Sequence, residues 1–118
     1  MGKHNFKKMK IWQSAMQLCN IIFIITKEFP KAELYSLTSQ INRSAISEPS
    51  NIAEGSSRSS NKDFNRFLEI ALGSLFELQT QIVLAGYKNY INKDELKDLE
   101  NKIEELQKMI SGFKNSLQ

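Results

Sequence analysis

The chain has 118 residues, of which 41% are hydrophobic and 25% charged, with two prolines, five glycines and a formal net charge of +3. That length fits one domain spanning residues 1–118, and the composition is that of an ordered helical protein, which excludes a disordered tail. A single cysteine, Cys19, excludes an internal disulfide, and a single histidine, His4, leaves almost no material for a Ser–His triad or a Cys/His zinc site.

The spacing predicts a first helix over about residues 8–29. Ile11, Ala15, Leu18, Ile22, Ile25 and Phe29 alternate steps of four and three, and Trp12, Met16, Cys19 and Phe23 widen the stripe. Pro30 stops the helix, because the residue before a proline avoids helical geometry. Lys7, Lys8 and Lys10 ahead of this apolar run imitate a secretory signal. However, Asn20 interrupts the run, Lys27 and Glu28 follow it, and no small-residue cleavage site appears. No stretch is expected to reach the roughly 18 apolar residues of a membrane span. The expected location is cytoplasmic, in keeping with the lone thiol.

A second helix is predicted over about residues 33–54, with Leu34, Leu37, Ile41, Ala45 and Ile52 on its inner face. Pro49 falls inside it, removes one N–H and crowds the Ala45 carbonyl, at a cost of about 3 kcal/mol. Either the helix kinks there, or it breaks and restarts with Pro49 in a first turn. Ile52 keeps the inner-face spacing, which favours a kink. Glu48 is expected at the rim with its carboxylate in water, since a lone buried carboxylate is costly. The other readings are a polar contact across an interface and a buried pair with Arg43. Gly55 suits the position just past a helix end, where positive φ is needed.

The serine run at residues 56–60 reads as a corner. It lacks the glycine–lysine arrangement of a Walker phosphate loop, and no internal histidine is present to activate a serine. Ser59, Ser60 and Asn61 offer caps for a third helix over about residues 61–86, with Asp63 completing a capping-box pattern. Phe64, Leu68, Ala71, Leu75, Leu78, Ile82 and Ala85 then form an unbroken heptad. Gly73 and Ser74 are expected to allow close helix approach. Glu69 and Glu77 lack the Glu-x-x-His partners of a carboxylate metal site, so no metal or other cofactor is expected.

Asn92 and Glu95 open a fourth helix over about residues 93–116, on which Leu96, Leu99, Ile103, Leu106, Ile110, Phe113 and Leu117 repeat the heptad. Connections this short make sequence neighbours antiparallel. The predicted fold is therefore all-α, an antiparallel up-down-up-down four-helix bundle with its second helix kinked at the proline.

In that topology one end collects Lys3, Lys7, Lys8, Lys10, Arg58, Lys62, Arg66, Lys108 and Lys114, against only Glu54 and Asp63. The opposite end carries five lysines against six carboxylates. The basic end reads as a phosphate-binding surface, with Lys7, Lys8, Lys10, Arg58, Lys62 and Arg66 as its candidate residues. The alternative is a solvated, solubilising face. Trp12, Phe23, Phe67 and Phe76 are either base-stacking rings or core and interface residues. The stripe on the first helix is wider than one bundle seam needs, which predicts a homo-oligomer.

Several of these residues carry a resemblance. Phe29-Pro30, the Glu33/Tyr35/Leu37/Gln40 pattern, the run from Pro49 to Gly55, Phe67-Leu68, Gly73-Ser74, Trp12 and Gly86-Tyr87 together resemble the four helix bundle proteins also called 23S rRNA-intervening sequence proteins. The resemblance covers nearly the whole chain. It implies a small antiparallel bundle able to assemble into ring-like pentamers, with no catalytic residues. Relatives that accompany reverse transcriptases in diversity-generating retroelements, the accessory variability determinants, bind the polymerase and nucleic acid. Asn42, where a basic residue is usual, and Glu48, where an aliphatic one is usual, depart from the family pattern. The expected function is non-enzymatic nucleic-acid binding, or else an adaptor role toward a polymerase or ribosomal partner, without a membrane.

Overall fold

Each apolar stripe becomes a helix, and the stripes close on one another. The protein is described by a computed structural model covering residues 4–117, which contains helices and no strand among those residues. A short 3-10 helix, Phe6–Lys8, precedes α1 (Lys10–Thr26). A second, Lys31–Glu33, precedes α2 (Leu37–Ser56), followed by α3 (Asn61–Tyr87) and α4 (Lys93–Ser116). Ser44 Oγ donates to Gln81 Oε1 at 2.9 Å, and the Ser47 and Ser74 hydroxyls lie 2.7 Å apart, so α2 and α3 run in opposite directions. Gln79 Nε2 reaches Glu104 Oε2 at 3.0 Å, and Lys114 reaches Glu69 at 3.4 Å, so α3 and α4 do likewise. Ile41, Ala45, Ile52, Leu68, Leu75, Leu78, Ile103 and Ile110 are wholly shielded at the centre.

Two helix ends differ from the sequence expectation. α1 stops at Thr26, three residues short of Phe29. The Glu28 and Phe29 N–H groups turn to the Ile25 and Thr26 carbonyls, tightening the chain ahead of Pro30. Phe29 remains buried as a loop residue, its ring 5.4 Å from that of Tyr90. α2 starts at Leu37 instead of Glu33, because residues 31–33 wind into the tighter helix. The Ser36 hydroxyl donates to the Glu33 carboxylate at 2.7 Å and does not cap α2. Leu34, expected on the inner face, is therefore exposed. α2 itself runs without a break through Pro49.

The glycines also change roles. Gly55 lies inside α2, not beyond it. A Cβ there would sit 2.8 Å from both Phe64 Cδ1 and Phe67 Cβ, so the residue lets the end of α2 close onto the start of α3. Gly73, expected at a close approach, has nothing within 4 Å of a built Cβ. The left-handed residue is Asn89, at φ 63, just past α3. The Tyr90 and Asn89 N–H groups return to the Ala85 and Gly86 carbonyls at 2.9 and 3.0 Å, closing a Schellman motif.

Glu48 corrects the rim expectation. It is 1% exposed, and its Oε2 has no hydrogen-bond partner among the described residues. Burial pushes its carboxyl up to about 8, with the Glu77 charge adding to the effect. The spacing Ile41, Ala45, Glu48, Ile52 places it on the buried stripe despite its charge. α3 amends a second expectation. With 27 residues it is long and apolar enough to cross a membrane by length and composition alone. Its heptad positions fill the bundle core, whereas Ile70, Phe76 and Leu84 lie exposed on its other faces.

Candidate nucleic-acid interface

Three chain segments meet at one end of the bundle because their aromatic side chains cluster. The His4 ring lies 5.1 Å from Phe64 and 5.9 Å from Phe113, and those two phenyl rings are 5.5 Å apart. The cluster ties the N-terminal segment to the start of α3 and the end of α4. The Phe6–Lys8 helix also packs on α2, and Phe6 meets Trp12 edge-on at 5.2 Å. Gln13 Nε2 donates to the Lys7 carbonyl at 2.9 Å, fastening this segment to α1. Lys7, Lys8 and Lys10 are all exposed and form no ion pair among the described residues.

The corner between α2 and α3 uses its serines for backbone. Ser56 and Ser57 Oγ donate to the Ala53 and Glu54 carbonyls, both at 2.7 Å, finishing α2. Ser60 Oγ accepts the Asp63 N–H at 3.1 Å, opening α3. Asp63 does not return a bond, whereas Asn92 and Glu95 form the reciprocal box at α4. Three of the four corner serines thus bond to backbone, which is the geometry of a corner.

Arg58, Lys62 and Arg66 are exposed around this corner. The Arg58 and Arg66 guanidinium carbons lie over the Phe67 ring, 4.7 and 5.3 Å from its centroid. Phe67 is buried and fixed against Gly55, so its ring is a rigid support that holds two cations on the surface. Neither stacking contact was legible in the sequence, although two arginines within nine residues of a phenylalanine were a usable signal. Arg58 also pairs with Glu54 at 3.0 Å, in an exposed contact of the kind worth at most about 1 kcal/mol.

The sequence tally changes in two places. Lys114 is engaged by Glu69, a carboxylate not counted at this end, and Lys3 lies outside the described residues. Lys108 is exposed. Phe76 is exposed on α3, away from the basic cluster, while Trp12 and Phe23 are half-buried. Glu69 and Glu77 are held apart, one by Lys114 and the other within 3.4 Å of the Ser44 hydroxyl. Among the described residues no group of three or more His, Cys, Asp or Glu side chains could hold a metal ion.

A sequence profile of the 23S rRNA-intervening sequence protein family matches residues 7–112. No curated protein sequence matches significantly. A crystal structure described as a protein with unknown function from the S23 ribosomal protein family of Bacteroides thetaiotaomicron superposes with a TM-score of 0.82 and 23% identity. The match covers 88% of this chain and 97% of that one, and at this identity it speaks for the fold alone.

Proposed function

The chain belongs to the 23S rRNA-intervening sequence protein family, and on that footing we propose that it is a non-enzymatic, cytoplasmic helical bundle that binds nucleic-acid backbone through its basic end. The observation that carries this reading is the convergence of Lys7, Lys8, Lys10, Arg58, Lys62 and Arg66, all exposed and only Arg58 engaged by a carboxylate. Cations in such a cluster release condensed counterions when they meet phosphates, which supplies affinity without reading sequence. The first turn of α3 adds unpaired N–H groups beside Lys62, and these favour anions further. Two guanidiniums already ordered over Phe67 lose less freedom on contacting phosphate. No exposed phenylalanine, tyrosine or tryptophan stands among the six cations, which supports a weak base preference.

Assembly multiplies this surface. On α1 Met16 is exposed and Trp12 and Phe23, on the same face, are half-buried, an apolar strip that favours self-association. A homo-pentamer is the first expectation, and light scattering that gives a 13.6 kDa monomer at micromolar concentration excludes it. A protein-docking role has one observation in its favour, the exposed Phe76, Leu84 and Tyr87 along α3.

The test is fluorescence anisotropy with labelled RNA and DNA across a salt series. Reversing Lys7, Lys8 and Lys10 together, or Arg58, Lys62 and Arg66 together, lowers both affinity and salt slope. Reversing Lys93 and Lys97 at the other end changes little. Equal losses from both ends reduce the reading to diffuse attraction, and no loss from either favours the docking role. Cleavage with magnesium or manganese that disappears in Glu69→Gln or Glu77→Gln overturns the non-enzymatic part.

A further inference from the structure

At the end of the bundle opposite the basic cluster, the last turn of α1, the Phe29–Pro30 turn and the first turns of α2 enclose a cleft of about 420 Å³. Phe23, Phe29, Pro30 and Leu34 supply its apolar lining, and Leu34 is half exposed, so an occupant would cover it. Thr26, Thr38 and Asn42 form the polar part of the lining, and the exposed Lys27 and Lys31 stand at the mouth.

The unpaired polar groups in this lining can both donate a hydrogen bond. The Thr26 hydroxyl is shared between the Phe23 carbonyl, at 3.3 Å, and Asn42 Oδ1, at 3.0 Å, an arrangement in which Asn42 Nδ2 has no partner among the described residues. Thr38 Oγ1 is buried and unpartnered, a costly state that a rotation about χ1 relieves once an acceptor enters. Lys27 and Lys31 form no ion pair among the described residues. Lys27 and Lys31 are the charged side chains of the lining, and no carboxylate belongs to it. Glu33 is engaged by the Ser36 and Tyr90 hydroxyls, both at 2.7 Å, and Glu28 does not line the cleft. α1 ends here and α2 begins here, so their macrodipoles oppose each other and add little net field at the mouth.

We propose that this cleft binds small amphipathic carboxylates, with the apolar body against Phe23, Phe29 and Leu34 and the carboxylate on Asn42 Nδ2 and the two lysines. Its volume lies toward the lower end of the roughly 300–1,000 Å³ typical of small-molecule sites, which suits a short alkyl or aryl acid and not a nucleotide. The site is independent of the basic end and of whether that end binds nucleic acid.

The probe is decanoate, titrated calorimetrically into the full chain below its micelle concentration, with decanol and decyltrimethylammonium as controls. Saturable one-site binding of decanoate is expected, with both controls about tenfold weaker or more, the loss of one hydrogen-bonded charge. Lys27→Gln combined with Lys31→Gln, both on the surface, weakens decanoate by about tenfold. Asn42→Leu does the same, provided its helical melt shows that it folds. Reversal of Lys7, Lys8 and Lys10 leaves decanoate binding unchanged. Absence of saturable heat, equal binding of decanol, no effect of the Lys27/Lys31 pair, or loss only on reversal of the basic end each overturns the proposal.

Discussion

Replacing Glu48 by glutamine should stabilise the protein at neutral pH, and the gain should disappear in acid. The side chain is buried with Oε2 unpartnered, and burial raises its carboxyl from 4.5 to about 8. The native state therefore holds a proton that the unfolded chain releases above about pH 4.5. Each pH unit between those two values removes about 1.4 kcal/mol of stability, which comes to about 3 kcal/mol at pH 7. Glu77 contributes by repulsion from α3, and from α1 Cys19 faces the same group, its thiol raised chiefly by burial and secondarily by Glu48. Glutamine keeps the shape and cannot ionise, but its amide brings a further donor that lacks an acceptor, at about 1–2 kcal/mol. The expected net gain at pH 7 is about 1–2 kcal/mol, with methionine at this position gaining more. Urea unfolding followed by circular dichroism from pH 4 to pH 9 measures it. The stability difference between variant and parent should rise through the window from about pH 4.5 to 8 and level off above it. Other titrating groups, such as Glu33, whose carboxyl the Ser36 and Tyr90 hydroxyls hold below its usual range, cancel in that difference. A difference that stays flat with pH, or that falls as pH rises, refutes the assignment of a buried neutral acid.

Gly55→Ala should destabilise by about 1–3 kcal/mol, because its new methyl meets Phe64 and Phe67 at 2.8 Å. Gly73→Ala, with open space around it, should stabilise by about 0.5–1 kcal/mol, and thermal melts of the two variants side by side check the contrast. Leu75→Ala, at a wholly shielded heptad position, should cost about 2–5 kcal/mol by urea unfolding, and a cost below about 0.5 kcal/mol would show that this face is not core. Asn89→Ala should lose about 1 kcal/mol while Asn89→Gly should not, since only the left-handed φ of 63 at this residue is at stake.

Helical periodicity is a local property, and it is where the sequence was most explicit. Every heptad position from Phe64 to Ala85 is buried, as are Leu99, Ile103, Leu106 and Ile110 on α4, because a 3.6-residue repeat puts such residues on one face whatever they later meet. The end of α3 and the start of α4 were legible within a residue or two for the same reason, since capping chemistry is also local. The ends facing Pro30 were not, because a tight helix over Lys31–Glu33 competes there with the start of α2. Glu48 was misjudged because its charge argued for solvent, whereas its place between Ala45 and Ile52 committed it to the interior. Gly55 was legible as a special residue but not as a contact. Its role depends on two phenyl rings of α3 that no local pattern brings to it. Likewise the chain order of the cations and the short connections were enough to group the basic end. The engagement of Lys114 by Glu69 and the stacking of Arg58 and Arg66 over Phe67 were decided by how closely α2, α3 and α4 approach. Periodicity specifies which face of a helix is buried, and only packing specifies what that face touches.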